Sequence, residues 1–380
     1  MPPASPNKQA PTPPALPAPL IITEARGPRV AFGGRSLIRF GGCNYLAMNQ
    51  EPAVRSAARD ALDRLGLSAS ASRTTTGDTA EHRACEAALA RFTGFERACL
   101  LPDGYTANIA AMQTLSPSVE LVVLDERAHH SLKDAAACAG LPCITYPHAN
   151  AHAAAQIVRD AARPVCIATD TLFAADAACA PLQELQQIAN SAPPGSVLLG
   201  DECHAFAGLG PTGRGRLAGL GLITRRTIAT LTLSKGLGCG GGAVLAPTDL
   251  ESALRASRVY VGTTPVSPVL AAASGAAIDL LGEHREYMRD LGERSAQLHA
   301  SLKTRHDAQD TPPFLAIPVD PHRGVRVHAA LLHAGFEAPL IAYPGGPGSA
   351  YFRIAVSRLH TPADIDRFAS TFTQAMTEHA

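Results

Sequence analysis

Only four lysines stand in this 380-residue chain, Lys8, Lys133, Lys235 and Lys303, and arginine supplies the rest of the positive charge. Lys235 closes the β-forming run "TIATLTLSK" and opens the glycine run "GLGCGGG". A lysine at the mouth of a glycine loop, in a chain that otherwise uses arginine, points to chemistry that needs a primary amine. A phosphate-cradling P-loop is excluded, because GxxxxGK[ST] places its glycines before the lysine and here they follow it. A dinucleotide fingerprint fits poorly, since no clear helix signal follows the glycines. Two readings stay open on these residues alone. One is an exposed lysine beside a flexible turn. The other is a Schiff-base lysine holding an aldehyde cofactor such as pyridoxal phosphate (PLP), a bond arginine cannot make. The second reading requires a carboxylate beside the pyridine nitrogen, so that the protonated ring can take up electrons. Asp201, closing "SVLLGD" one strand earlier, stands where that carboxylate belongs, and His204 is placed to reach the cofactor's phenolic oxygen.

These side chains need elements to carry them. Four apolar runs read as buried strands: "VELVVLD" to Asp125, "PVCIATD" to Asp170, "SVLLGD" to Asp201 and "TIATLTLSK" to Lys235. Each ends in an ionisable residue. In an open parallel sheet, ligands bind in the crevice at the carboxyl ends of the strands, so all four are candidates for one site. Helical and strand signals alternate from about residue 50, which gives an α/β fold. "GDTAEHRACEAALARFTG" is a helix capped by Asp78 or Thr79 and stopped at Gly94. In the tail, "PHRGVRVHAALLHAGF" reads as a helix and "YFRIAVS" as a strand carrying Arg353. "HTPADIDRFASTFTQAM" is a helix with Thr361 as cap, Pro362 in the first turn and Asp364 completing a capping box. The expected organisation is a Pro-rich arm and lead-in over 1–45, a large domain over 46–268 and a small α+β domain over 269–380.

Composition limits the partners. Lys+Arg and Asp+Glu are 33 each, so net charge gives no sign of nucleic acid or anionic membrane. The nine cysteines show neither CxxC nor zinc spacing and read as reduced thiols of a cytoplasmic protein. The Pro-interrupted start lacks a signal-peptide core, and no segment reaches the roughly 18 unbroken apolar residues of a membrane span.

"GDECHAFAGLGPTGRG" followed by "TLSKGLGCGGG" resembles the α-oxoamine synthases, PLP enzymes of fold type I that join an amino acid to an acyl-CoA. The likeness extends through "NYLAM" from Asn44, "SASRTTTGDTAEHRACEAALARF" through Ser72, Arg73, Gly77, His82 and Glu86, and "DGYTAN" through Gly104, Tyr105 and Asn108. It continues in "LDERAHHSL" through Asp125, His129 and Ser131, in "YPHAN", and in "YFRIAVSRLHTPADID" through Arg353 and His360. The resemblance implies a large domain with a mostly parallel sheet plus a smaller C-terminal domain. It implies Lys235 as the cofactor-binding amine and later the base for the substrate's α-proton, Asp201 on the pyridinium nitrogen and His204 on the ring oxygen. His129 would stack on the ring, with His130 the spectator. Gly104, Tyr105 and Thr232 would hold the phosphate end, joined by Thr263 or Thr264 from the other subunit of a homodimer. Arg353 and Ser72 would meet the substrate. The implied reaction condenses a small amino acid with an acyl thioester, from CoA or a carrier protein, losing carbon dioxide to give an α-amino ketone.

The chain departs from the family at "DTLFAADAACAPL", where Ala174 replaces a serine that usually touches the cofactor, and at "DECH", which puts Cys203 near the ring. The position of a substrate-facing threonine falls near Ala342 or Tyr343. Another fold type I PLP enzyme, an aminotransferase or an aldolase or hydroxymethyltransferase, is the alternative. An aminotransferase would commonly place a phosphate-binding arginine where this chain has Ala243. A non-catalytic partner subunit would be expected to lose the lysine or the ring carboxylate, and both are kept.

Overall fold

The computed structural model describes residues 15–304, 311–343 and 345–380. Of the expected Pro-rich arm, residues 1–14 lie outside the described residues. The lead-in forms three short antiparallel strands, β1 (Glu24–Arg26), β2 (Arg29–Phe32) and β3 (Arg35–Arg39). Helices α1 (Pro52–Leu65) and α2 (Ala80–Thr93) follow. Thr79 caps α2, and Gly94 ends it at a φ of 87°, which a residue with no Cβ adopts without strain.

Seven strands build the central sheet: β4 (Arg97–Leu101), β5 (Leu121–Asp125), β6 (Cys143–Tyr146), β7 (Val165–Asp170), β8 (Val197–Asp201), β9 (Thr227–Thr232) and β10 (Gly242–Ala246). Their order is β4-β10-β9-β8-β7-β5-β6. β6, β5, β7, β8 and β9 pair in parallel, while β10 runs antiparallel between β9 and β4. The connections carry α3 (Gly104–Leu115), α4 (His130–Cys138), α5 (Ala151–Ala161), α6 (Leu182–Ser191) and α7 (Arg216–Gly219). The strands are apolar on both faces because both faces are covered. Leu121 and Val123 enter one core while Val122 and Leu124 enter the other, and the same alternation separates Val165 and Ile167 from Cys166 and Ala168.

β9 stops at Thr232, three residues before the expected end at Lys235. The chain turns there: Leu233 N donates to Gly241 O at 2.9 Å, and Gly238 N donates to Lys235 O at 3.1 Å. Gly238 and Gly241 sit at φ of 69° and 107°, so the glycine run is the reversal into β10. Lys235 therefore rides on the turn rather than on the strand.

After α8 (Glu251–Ala256) and α9 (Arg258–Gly262), α10 (Pro268–Glu283) packs on α1 and α2. The remainder comprises α11 (Glu286–Ser301), β11 (Phe314–Pro318), α12 (Pro321–His333), β12 (Phe336–Glu337), β13 (Leu340–Ile341), β14 (Tyr351–Ala355) and α13 (Pro362–Glu378). β11, β14 and β13 form a small sheet, and β12 pairs in parallel with β3, which ties the lead-in to the C-terminal part. Thr361, Pro362 and Asp364 start α13 with the expected capping box. This region has its own core around Phe40, Phe336, Phe352 and Phe368.

Candidate active site

β7 and β8 end side by side, with Asp170 opposite Asp201, and β9 delivers Thr232 at the same edge. Because β10 runs the other way, its first residue, Gly242, also lies there, paired with Thr232 and Leu101. A cavity of about 250 Å³ opens at this edge. Lys235, Asp201, His204, His129, Gly104, Tyr105 and Thr232, each expected to meet the cofactor, line it. Asp103, Ser131, Asp170, Leu172, Cys203 and Ser234 complete the wall.

Lys235 Nζ stands 2.8 Å from His204 Nε2. His204 is buried, and burial, reinforced by the Lys235 and Arg353 charges, holds its imidazole well below the ordinary histidine range. Asp201 is buried and fixed at both oxygens: Oδ1 accepts from Cys203 N at 2.9 Å, and Oδ2 accepts from Asn108 Nδ2 at 2.8 Å. Asn108 also donates to Ser131 Oγ at 2.9 Å and accepts from Thr230 Oγ1 at 2.5 Å, so every polar atom of this buried amide is used. Sequence reasoning gave Asn108 no role of its own. The available signal was its spacing of four from Gly104, which puts both on one face of α3.

Asp103 caps α3 by accepting from Thr106 N at 2.7 Å. A Cβ on Gly104 would meet Cys203 Sγ at 2.8 Å and Thr232 Cβ at 3.1 Å, so glycine keeps the helix start open toward the cavity. The Thr232 and Ser234 hydroxyls lie 2.8 Å apart beside it. The Tyr105 hydroxyl donates to Asp134 Oδ2.

His129, not His130, lines the cavity. His129 N donates to Asp170 Oδ1 at 3.0 Å, and its Nδ1 lies 2.7 Å from Ser131 Oγ. Burial holds the His129 imidazole below its ordinary value. Burial, followed by the Asp201 carboxylate, pushes the Asp170 carboxyl well above the usual carboxylate range. His130 instead faces Tyr343, with its Nδ1 2.9 Å from the phenol oxygen.

Arg353 reaches this edge from β14. Its Nε donates to the Ala174 carbonyl at 3.1 Å, its Nη1 contacts Cys43 Sγ at 3.4 Å, and its Nη2 donates to Tyr45 Oη at 3.3 Å. Ala174 thus contributes its carbonyl where the family's serine side chain is missing. All these partners are uncharged groups or a thiol, leaving the guanidinium suited to an incoming carboxylate.

Some expected residues are not gathered here. Ser72, Thr263 and Thr264 line no part of the cavity. Ser72 Oγ donates to Val261 O at 3.0 Å, and Thr263 Oγ1 donates to Val259 O at 2.7 Å, so both belong to the segment around α9. Asp125 closes its strand as expected but accepts from Arg127 N and Ala149 N and faces His148 Nδ1 at 3.1 Å, which makes it a loop organiser.

The aminotransferase class I and II family matches residues 35–372. An 8-amino-7-oxononanoate synthase of Azoarcus sp. is 34% identical over 366 residues, covering 93% of this chain and 91% of that protein. The serine palmitoyltransferase of Sphingomonas wittichii superposes with a TM-score of 0.89 at 25% identity, over 96% of this chain and 94% of that one. A structure of SPT with the PLP internal aldimine superposes with a TM-score of 0.88 at 25% identity, over 95% and 93%.

Proposed function

The chain belongs to the aminotransferase class I and II family and, within it, to the α-oxoamine synthases, and we propose that it condenses a small amino acid with an acyl-CoA. It is a PLP-dependent C-acyltransferase: an amino acid and an acyl thioester give an amino ketone. The observation that carries the site assignment is the convergence of Lys235, Asp201, His204 and the open start of α3 on one cavity.

The cavity suits PLP on three counts. An amine stands at its wall, a carboxylate is held by two hydrogen bonds at the strand edge, and a helix N-terminus is kept bare by Gly104. A helix start offers unpaired N–H groups and a positive dipole end to a phosphate. Gly104 and Tyr105, with the Thr232 and Ser234 hydroxyls, would hold the phosphate, Asp201 the pyridine nitrogen and His204 the ring oxygen. When bound, PLP supplies an electron sink for charge at the carbon beside the amine. Lys235 Nζ would anchor the cofactor aldehyde, and its amine is the group placed to take up the substrate's α-proton. Arg353 binds the amino acid's carboxylate through its guanidinium fork. His129, fixed by Asp170 and Ser131, covers the cavity and orients that carboxylate.

A homodimer accounts for the residues left out of the cavity. Ser72 donates to the Val261 carbonyl and Ser267 to the Leu67 carbonyl, and Leu67, Val261 and Leu270 are exposed at 76%, 43% and 40%. Exposed apolar side chains beside Ser72 and Ser267 suit a second copy of the chain, and Thr263 or Thr264 would then complete the other subunit's phosphate site. The buried cysteines Cys85, Cys99, Cys166 and Cys203 are free thiols, which suits a reducing, cytoplasmic setting. No helix among the described residues is long and apolar enough to cross a membrane.

The test is a screen for free CoA over small amino acids and acyl-CoA chain lengths, joined to borohydride reduction of the PLP-loaded protein. CoA release only when both substrates are present, and label on the Lys235 peptide, are expected. CoA release without an amino acid, or label elsewhere, refutes the assignment.

A further inference from the structure

Four side chains from distant parts of the chain meet behind Lys235. Tyr45, from the lead-in, is 1% exposed, and its hydroxyl lies 3.1 Å from His204 Nδ1. Arg353 Nη2 lies 3.3 Å from Tyr45 Oη and 3.4 Å from His204 Nδ1. His204 Nε2 lies 2.8 Å from Lys235 Nζ. Phe314 seats the group: the Arg353 guanidinium is 4.5 Å from its ring centre, His204 meets it edge-on at 5.4 Å and Tyr45 stacks at 6.0 Å.

The direction of the Arg353 contacts follows from a group that cannot accept. Guanidinium nitrogens only donate. Arg353 Nη2 therefore donates to both Tyr45 Oη and His204 Nδ1, and an N–H on Nδ1 would face a donor. Nδ1 must be an acceptor, which lets the Tyr45 hydroxyl donate to it as well. A neutral imidazole with Nδ1 accepting carries its proton on Nε2. That N–H is on the cavity side of the ring, where Lys235 Nζ stands 2.8 Å away.

We propose that Tyr45 is a positioning residue that, together with Arg353, fixes His204 as the Nε2–H tautomer, so that His204 presents a donor to the cavity. On the PLP reading above, that donor meets the cofactor's ring oxygen. The burial that keeps His204 neutral agrees with this. The charged or titratable groups around it are Lys235, Arg353, His129, Tyr45, Cys43 and Asp201.

The test reads the tautomer directly. Long-range proton–nitrogen NMR correlations on ¹⁵N-histidine protein, with His204 assigned by comparison with His204→Gln, are expected to show Nε2–H in the PLP-loaded protein. Nδ1–H in that state overturns the proposal, whatever the screen for CoA release returns, so the two readings fail separately. In Tyr45→Phe the Nδ1–H share is expected to rise roughly tenfold, the effect of losing about one hydrogen bond, while Tyr146→Phe, which removes a buried phenol without a protein partner, leaves the ratio unchanged. An unchanged ratio in Tyr45→Phe also overturns it. Should that variant fail to fold, the wild-type spectra still decide.

Discussion

Gly242→Ala reports whether the glycine run serves the start of α3. Gly242 is the first residue of β10, where φ is unremarkable, so its smallness matters for space rather than for backbone freedom. A Cβ there would fall on the Asp103 carbonyl and lie 2.6 Å from Gly104 N. Both neighbours are backbone, so no side chain can swing away. Restoring van der Waals contact requires β10 and the Asp103–Gly104 turn to separate by roughly 1 Å, while β10 is held on both sides by β9 and β4. Overpacking of this kind costs about 1–3 kcal/mol, and the upper half of that range is expected where only backbone can yield. A displacement of about 1 Å at a binding group costs up to ~10²-fold, so PLP affinity is expected to fall roughly 10- to 100-fold. Gly240→Ala is the comparison. Its Cβ would meet Leu270 Cδ1 at 2.8 Å, the end of a half-exposed flexible side chain, and a loss under about 1 kcal/mol is expected. PLP titration by the visible band and thermal melts of both variants supply the numbers. If Gly242→Ala binds PLP within threefold of wild type, or if the two variants behave alike, the placement of the phosphate at the α3 start is wrong.

Arg353→Lys should raise the KM for the amino acid about 10-fold or more with a smaller change in kcat, because an ammonium cannot form the paired bonds of a guanidinium; steady-state kinetics with varied amino acid check it. Glu86 accepts from Arg73 at 2.5 Å, Arg255 at 3.0 Å and Leu100 N at 2.8 Å while nearly buried, so Glu86→Ala should cost about 3–5 kcal/mol in urea unfolding. His360 is buried, with Nδ1 accepting from Ser357 N at 2.9 Å, and burial holds its imidazole below the ordinary value. The unfolded chain then binds a proton that the folded one refuses, so this contribution is intact above about pH 6.5. It is lost as pH falls toward the lowered folded value, by up to ~1.4 kcal/mol per pH unit. His360→Gln removes the effect, and its stability deficit against wild type should shrink between pH 7 and pH 5; a deficit that grows refutes the reasoning.

Lys235, Asp201 and Asp170 were legible in the sequence because a buried parallel strand is a continuous apolar run, and the first ionisable residue after it marks the carboxyl edge. His129 was separated from His130 only by resemblance; in the structure His129 lines the cavity and His130 turns toward Tyr343. Asp125 satisfies the same strand-end pattern yet serves a loop, since the pattern locates an edge but not the direction a side chain takes there. Tyr45 lies in a recognised motif without any sign that it reaches His204.

The amino-acid sequence by itself determined the elements and their caps, the α/β order and the residues that could carry imine chemistry, because propensity, capping and period are local properties of the chain. Which of those residues share a cavity, and the hydrogen bonds that join Arg353, Tyr45 and His204, were decided only by the tertiary structure. Those contacts join positions 149 to 308 residues apart, and packing on Phe314 brings them within reach of one another.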